Sequence, residues 1–139
     1  MSDLSKQTKK ALQHRFPHSA VTYDEGPGPI ATIAPIYPEF GVVEVIEGAD
    51  ELTVNCGNFT HVHLSNYDEG ISPEERNQRV VASLIDFLSD VFADRIEFWG
   101  SHRGIGGCRR RESQDPGLEF ESKGATFTWS GPTEYGRKS

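Results

Sequence analysis

The sequence lacks any long hydrophobic run. None of its apolar stretches approaches the roughly 18 residues that a helix needs to cross a bilayer. Residues 1–16 also lack the apolar core of a secretory signal peptide. We therefore expect a cytoplasmic protein that has no membrane partner.

Cysteine is scarce as well. The chain has two, Cys56 and Cys108, and neither belongs to a Cys-x-x-Cys pair. This excludes a disulfide framework or a zinc finger as the basis of the fold. The arginines after Cys108 would lower the pKa of its thiol, and His102 would be the matching base. Since no Gly-x-Ser-x-Gly elbow or other complete catalytic set accompanies them, we interpret Cys108 as a plain reduced thiol and assign no catalytic residue.

Positive charge is in the minority. Lys and Arg total 14 against 21 Asp and Glu, which gives a formal net charge of -7. Such a chain is repelled by the phosphates of nucleic acids and by anionic membranes. We expect its partner to be another protein, a basic one in particular, and no nucleic acid. In size and charge the chain is similar to toxin-neutralising immunity proteins.

Helical patterns occur in two places. The 139 residues include eight Phe and two Trp, enough for one hydrophobic core, so we predict a single domain over residues 1–139. A short amphipathic helix is predicted over residues 3–16, with Pro17 ending it. A longer helix begins at the capping box Ser72–Glu75, and apolar residues recur at helical spacing through about residue 93.

The remaining segments are predicted to form strands. Residues 30–36 indicate an edge strand, because Pro35 cannot donate to a sheet ladder. Residues 95–100 follow the long helix, and residues 118–129 predict a hairpin around Lys123-Gly124. Residues 130–139 are expected to be a frayed tail. Most connections are too short for parallel crossovers, so we predict an α+β fold in which the long helix packs on one face of an antiparallel sheet of five or six strands.

Two consecutive hairpins set the faces of this sheet. A four-residue loop over residues 47–50 would place Val43 opposite Val54. For the next loop there are two alternatives, a two-residue loop at Gly57-Asn58 or a three-residue loop that includes Phe59. The second places Val54 opposite Val62, and because it matches apolar residues across the strands, we prefer it.

The segment Asn58–Ser65, NFTHVHLS, then places two histidines on one face. His61 and His63 are two residues apart on a strand, so their imidazoles point the same way. With Glu44 two strands away as a third ligand, they form a candidate zinc site for a metal-binding protein or a metal-assisted hydrolase. We favour the competing interpretation, in which all three are ordinary polar residues on the solvent-exposed face of the sheet. In that case the protein has no cofactor.

A glycine- and arginine-rich segment, residues 100–112, is the second candidate site. Its glycines let backbone N–H groups approach an anion, and Arg103, Arg109, Arg110 and Arg111 supply positive charge. It matches neither a P-loop nor a dinucleotide-binding fingerprint. We favour a turn whose arginines protect an edge strand, with a phosphate-binding role as the alternative.

The third candidate is an acidic stripe. Asp86, Asp90 and Asp94 recur every four residues on the outer face of the long helix, where like charges repel. A basic partner would relieve that repulsion. Our leading hypothesis is therefore a non-enzymatic module that binds another protein through this stripe, as an inhibitor or toxin-neutralising, immunity-like protein. A strand edge at residues 30–36 or 108–112 would also allow a homodimer.

Overall fold

The described part of the chain contains two α-helices, a short 3-10 helix (Pro38–Phe40) and nine short strands. The computed structural model describes residues 3–17, 21–23, 28–48, 51–57, 59–100, 106–110 and 127–132. The helices are α1 (Asp3–Arg15) and α2 (Pro73–Phe92). The strands are β1 (Val21–Tyr23), β2 (Ala31–Ile33), β3 (Val43–Gly48), β4 (Glu51–Cys56), β5 (Thr60–Ser65), β6 (Ile96–Gly100), β7 (Gly106–Arg110), β8 (Phe127–Thr128) and β9 (Gly131–Pro132).

Five strands form an antiparallel sheet in the order β1-β2-β3-β4-β5. Together with the two helices and a smaller sheet, this confirms the predicted α+β fold. The edge position predicted for residues 30–36 is wrong, because β2 lies between β1 and β3. The strand ends at Ile33, before Pro35, so the proline removes no ladder hydrogen bond.

The register of the central hairpins is partly as predicted. Val54 lies opposite Val62, which confirms the three-residue loop. Between β3 and β4 the register differs by two residues, with Val45 opposite Val54 and Gly48 opposite Glu51. The loop is therefore two residues long rather than four. A shift of two keeps every side chain on its predicted face, because side chains alternate with a period of two.

Helix α2 covers the apolar face of this sheet. Its first turn is capped as the sequence predicts, since the Glu75 backbone N–H donates to Ser72 Oγ at 3.0 Å. The helix packs against β4, β5, β6 and α1. Its apolar stripe is buried with the inward side chains of β3 and β4; these core residues are Val43, Val45, Leu52, Val54, Val80, Val81, Leu84, Leu88 and Val91.

The smaller sheet has the order β7-β6-β8-β9. An aromatic cluster joins it to the larger sheet around the fully buried Phe40, whose ring centroid lies 5.0 Å from that of Phe98 and 5.3 Å from that of Trp129. Residues 130–132, which we assigned to a frayed tail, instead turn and form β9, where Gly131 pairs with Thr128. Residues 118–126 of the predicted hairpin and residues 133–139 lie outside the described residues.

Neither α1 nor α2 has the length and apolar content that a transmembrane helix requires.

Candidate functional site

The outward face of the five-stranded sheet carries mostly polar side chains on β3, β4 and β5, with Ile46 as an exception. Two rows of side chains cross it. One row runs from Glu44 through Asn55 to His61, and the next places Thr53 opposite His63. Both histidines are exposed. This face therefore presents ionisable and hydrogen-bonding groups to solvent.

The two imidazoles lie next to each other. The ring centroids of His61 and His63 are 5.0 Å apart, with the ring planes at 83°. Their spacing of two along β5 places them on one side of the strand, as predicted. Adjacent strand positions of this kind can bring two ring nitrogens towards one ligand.

Hydrogen bonds fix the orientation of the His63 ring. Its Nδ1 lies 3.2 Å from Glu51 Oε2 and 3.0 Å from Thr53 Oγ1. A carboxylate oxygen only accepts hydrogen bonds, so the His63 tautomer that carries its proton on Nδ1 is the one that donates to Glu51. That tautomer leaves the lone pair of the ring on Nε2.

Glu44 lies on the same face as His61, two strands away, as the sequence predicts. Its Oε1 accepts a hydrogen bond from Asn55 Nδ2 at 3.2 Å, and Asn55 is the residue opposite His61. Asn55 thus lies between Glu44 and the histidine. Within the described ranges, no group of three or more His, Cys, Asp or Glu side chains is arranged to hold a metal ion.

The arginines of the second candidate site are engaged with carboxylates where they are described. Arg109 Nε donates to Glu97 Oε1 at 3.3 Å, and the two side chains are only 7% and 1% exposed. Arg110 forms an ion pair with Asp90. Arg103 and Arg111 lie outside the described residues. The structure therefore shows two of the four predicted anion-binding arginines bound to side chains of the chain itself.

The acidic residues of the third candidate do not form one stripe. Asp86 is exposed on α2. Asp90 binds both Arg95 and Arg110, and these two arginines hold the pKa of its carboxyl below the usual range. Asp94 lies beyond the end of the helix in a left-handed conformation (φ 61°), and its Oδ1 accepts from the Ser130 backbone N–H. Asp86 and Asp90 keep their predicted positions on α2, but Asp90 is paired with two arginines and Asp94 lies beyond the helix.

A groove between α1 and α2 is a feature that we did not predict. It is open to solvent and has a volume of about 560 Å³. Its apolar wall is formed by Ala11, Val81, Ala82 and Ile85. Polar residues surround that wall: Gln7, Lys10 and His14 on α1, and Gln78 and Asp86 on α2.

The sequence did contain a signal for this groove. Val81 and Ile85 belong to the apolar stripe that we assigned to packing on the sheet, but that stripe is wider than the sheet covers. Its outer edge contacts α1 and is left half-buried at Ile85. Glu51 was also missed, although the correct β4–β5 register places it diagonally across from His63.

Both cysteines are free, and neither has an activated thiol. Burial raises the pKa of the Cys108 thiol to about 11, which is opposite to the lowering that we expected from its neighbouring arginines. Those described arginines, Arg109 and Arg110, are directed to carboxylates instead. Burial also raises the pKa of the Cys56 thiol, and the electrostatic effect of Cys108 raises it further.

Comparisons with protein-family models, with curated proteins and with solved structures gave no match. The function is therefore argued from the geometry of the chain's own residues.

Proposed function

We propose that the protein is a non-enzymatic module that binds another protein through the groove between α1 and α2. The observation that carries this proposal is an apolar wall left open between two helices on the protein's surface. The occupant that we propose is an amphipathic helix of the partner, carrying basic residues. A groove between two helices with an apolar wall is suited to such a helix, which anchors by apolar residues at positions i and i+4.

The dimensions of the groove fit this occupant. Its α1 side runs from Gln7 to His14, which is about 10 Å at the helical rise of 1.5 Å per residue. That length accommodates two turns of a partner helix. Ala11 on α1 and Ala82 on α2 lie on opposite sides of the groove. Their small side chains leave room for the backbone of a partner helix to approach closely.

Charge supports a basic partner. Asp86 borders the groove, is exposed and has no ion pair within the described part of the chain. The net charge of -7 attracts a basic protein over longer range and raises its association rate. Lys10, on the opposite side, would meet an acidic residue at the partner's other edge and so set the orientation of the bound helix.

This activity fits an inhibitor or a toxin-neutralising, immunity-like protein of the cytoplasm. Such a protein acts by covering a partner's surface and needs no catalytic group of its own. Two free thiols, the buried Cys56 and the half-buried Cys108, are in keeping with a reducing compartment.

A photo-crosslinking amino acid tests the proposal in the cells that make the protein. Placed at Gln78, on the edge of the groove, it should capture one partner through a basic amphipathic segment. The same amino acid at Ser83, which is exposed on α2 but does not line the groove, should not. A crosslink at both positions, at neither, or to a segment without an apolar face would overturn the proposal.

The affinity of the purified partner then provides the quantitative test. Ala82→Glu places a charge on the apolar wall and should weaken binding at least tenfold, because that charge would be desolvated by the bound helix. Ser83→Glu adds the same charge on the adjacent, exposed position and should leave the affinity within about twofold. Equal effects of the two variants would show that the partner binds elsewhere.

A further inference from the structure

The separation of the His61 and His63 ring centroids is one that two ligands of a shared zinc ion can have. Zinc binds imidazole nitrogen at about 2.1 Å and prefers tetrahedral angles, which places two liganding ring centroids about 5 Å apart. The observed separation is 5.0 Å. Both side chains are exposed on the outward face of the sheet, so an ion and its waters can reach them.

Glu51 is placed to orient the His63 ring for metal binding. A metal-binding histidine usually donates its other ring N–H to a carboxylate, which fixes the tautomer and makes the liganding nitrogen more basic. His63 has this arrangement, with Nδ1 3.2 Å from Glu51 Oε2 and 3.0 Å from Thr53 Oγ1. Its Nε2 is the nitrogen left for a metal.

We propose that His61 and His63 bind a divalent metal ion of the zinc class, with Glu51 as the positioning residue for His63. Water occupies the remaining coordination positions. Glu44, the carboxylate that the sequence suggested, takes no part because Asn55 holds it. Imidazole ligands favour Zn²⁺, Ni²⁺ and Cu²⁺ over Mg²⁺ and Ca²⁺, so selectivity between these groups is part of the proposal.

A zinc titration of the untagged protein tests the ligand pair. Wild type should bind one Zn²⁺ per chain, measured by competition with a chromophoric chelator, and should not bind Mg²⁺. His61→Ala and His63→Ala should each weaken zinc binding at least tenfold. His14→Ala is the matched control, because His14 is also an exposed histidine but lies on α1. Thermal unfolding of each apo variant should match that of wild type, which shows that the fold is intact.

Two results would overturn the ligand assignment. One is zinc affinity unchanged in both single-histidine variants, and the other is an equal loss in His14→Ala. A stoichiometry below one in wild type would equally reject a defined site. The outcome is independent of the proposed protein-binding groove, since Ala82→Glu should leave zinc affinity unchanged.

The positioning role of Glu51 is tested separately, by measuring the tautomer of His63. Long-range ¹H–¹⁵N spectra report which ring nitrogen carries the proton, and wild-type His63 should show a protonated Nδ1 and a zinc-dependent shift of Nε2. Glu51→Ala should shift His63 towards the other tautomer and weaken zinc binding about tenfold, at the lower end of such effects. Unchanged tautomer populations in Glu51→Ala would reject the positioning role, whatever the zinc affinity.

Discussion

At the scale of single residues, we expect the stability of the fold to be sensitive to mutation of the buried ion pair between Glu97 and Arg109. Its two side chains are 1% and 7% exposed. Glu97→Ala should destabilise the fold by about 3–5 kcal/mol, because the Arg109 guanidinium would stay buried without this carboxylate. Urea unfolding followed by circular dichroism measures the loss.

An exposed pair provides the matched control. Glu75→Ala removes one of the two carboxylates that pair with Arg79 at the protein surface, the other being Asp68, and should cost less than about 1 kcal/mol. In Glu97→Leu/Arg109→Leu both charges are gone, so much of the lost stability should return. Equal costs for Glu97→Ala and Glu75→Ala would show that burial does not matter for this pair.

Gly57 is a second sensitive residue. It adopts φ +58°, and a Cβ placed on it would overlap the Phe40 carbonyl oxygen. Gly57→Ala should therefore cost about 2 kcal/mol or more in unfolding free energy, from left-handed strain and from the clash. Gly70 has φ +81° with no heavy atom near its Cβ position, so Gly70→Ala should cost about 1 kcal/mol. If both variants lose the same stability, the clash with Phe40 has no effect.

The environments of single residues were the hardest features to predict. Glu97 alternates with Ile96 and Phe98 along β6, and this pattern normally indicates an exposed residue. Its burial depends on Arg109, which β7 places directly opposite, and no local pattern contains that information. The pKa of Cys108 was wrongly predicted for a similar reason, because sequence neighbours give charge but not burial.

At the scale of elements, the apolar match between strands was the most informative signal. It gave the β4–β5 register correctly because both strands bury one face. It did not distinguish the two β3–β4 registers, since both keep valine and leucine on the same side. The two registers differ in loop length, and the observed pairing of Gly48 with Glu51 leaves two residues between the strands. The interior position of β2 depends on β1, a three-residue strand too short to be recognised by periodicity.

The start of α2 gives a prediction about an element as a whole. Ser72 Oγ accepts the Glu75 backbone N–H and so satisfies one of the free donors of the first turn. Ser72→Ala should lower the unfolding free energy by about 1 kcal/mol, as measured by urea titration. Ser72→Asp keeps an acceptor at the cap and should retain most of the stability. Equal losses in the two variants would mean that the cap does not stabilise the helix.

At the scale of the whole molecule, the sequence did not reveal how the two sheets meet. Phe40, Phe59 and Phe98 come from distant parts of the chain and form one aromatic cluster, with ring centroids 5.0–5.9 Å apart. The groove between α1 and α2 is a similar case, because it depends on how two separately predicted helices lie side by side. The candidate histidines were predictable, since they need only the alternation of one strand.

Alkaline pH should weaken the whole fold through its two thiols. Burial raises the pKa of Cys108 from an ordinary 9.0 to about 11, and raises that of Cys56 too. The folded state then holds protons that the unfolded state releases, so stability should fall as pH rises above about 9. Cys108→Ser should reduce this dependence, because an alcohol does not titrate in that range. Unfolding midpoints measured from pH 7 to pH 10.5 test this, and the same slope in both proteins would contradict it.

The same thiols test whether the chain unfolds as one domain. Cys56 lies in the five-stranded sheet and Cys108 in the smaller sheet, and both contact one hydrophobic core. If that core joins the sheets into one cooperative unit, a short iodoacetamide pulse at increasing urea should label both cysteines in a single transition with one midpoint. Mass spectrometry of the two peptides separates the sites. Labelling of Cys108 at clearly lower urea than Cys56 would show that the small sheet opens by itself, and the aromatic cluster around Phe40 would then be too weak to couple them.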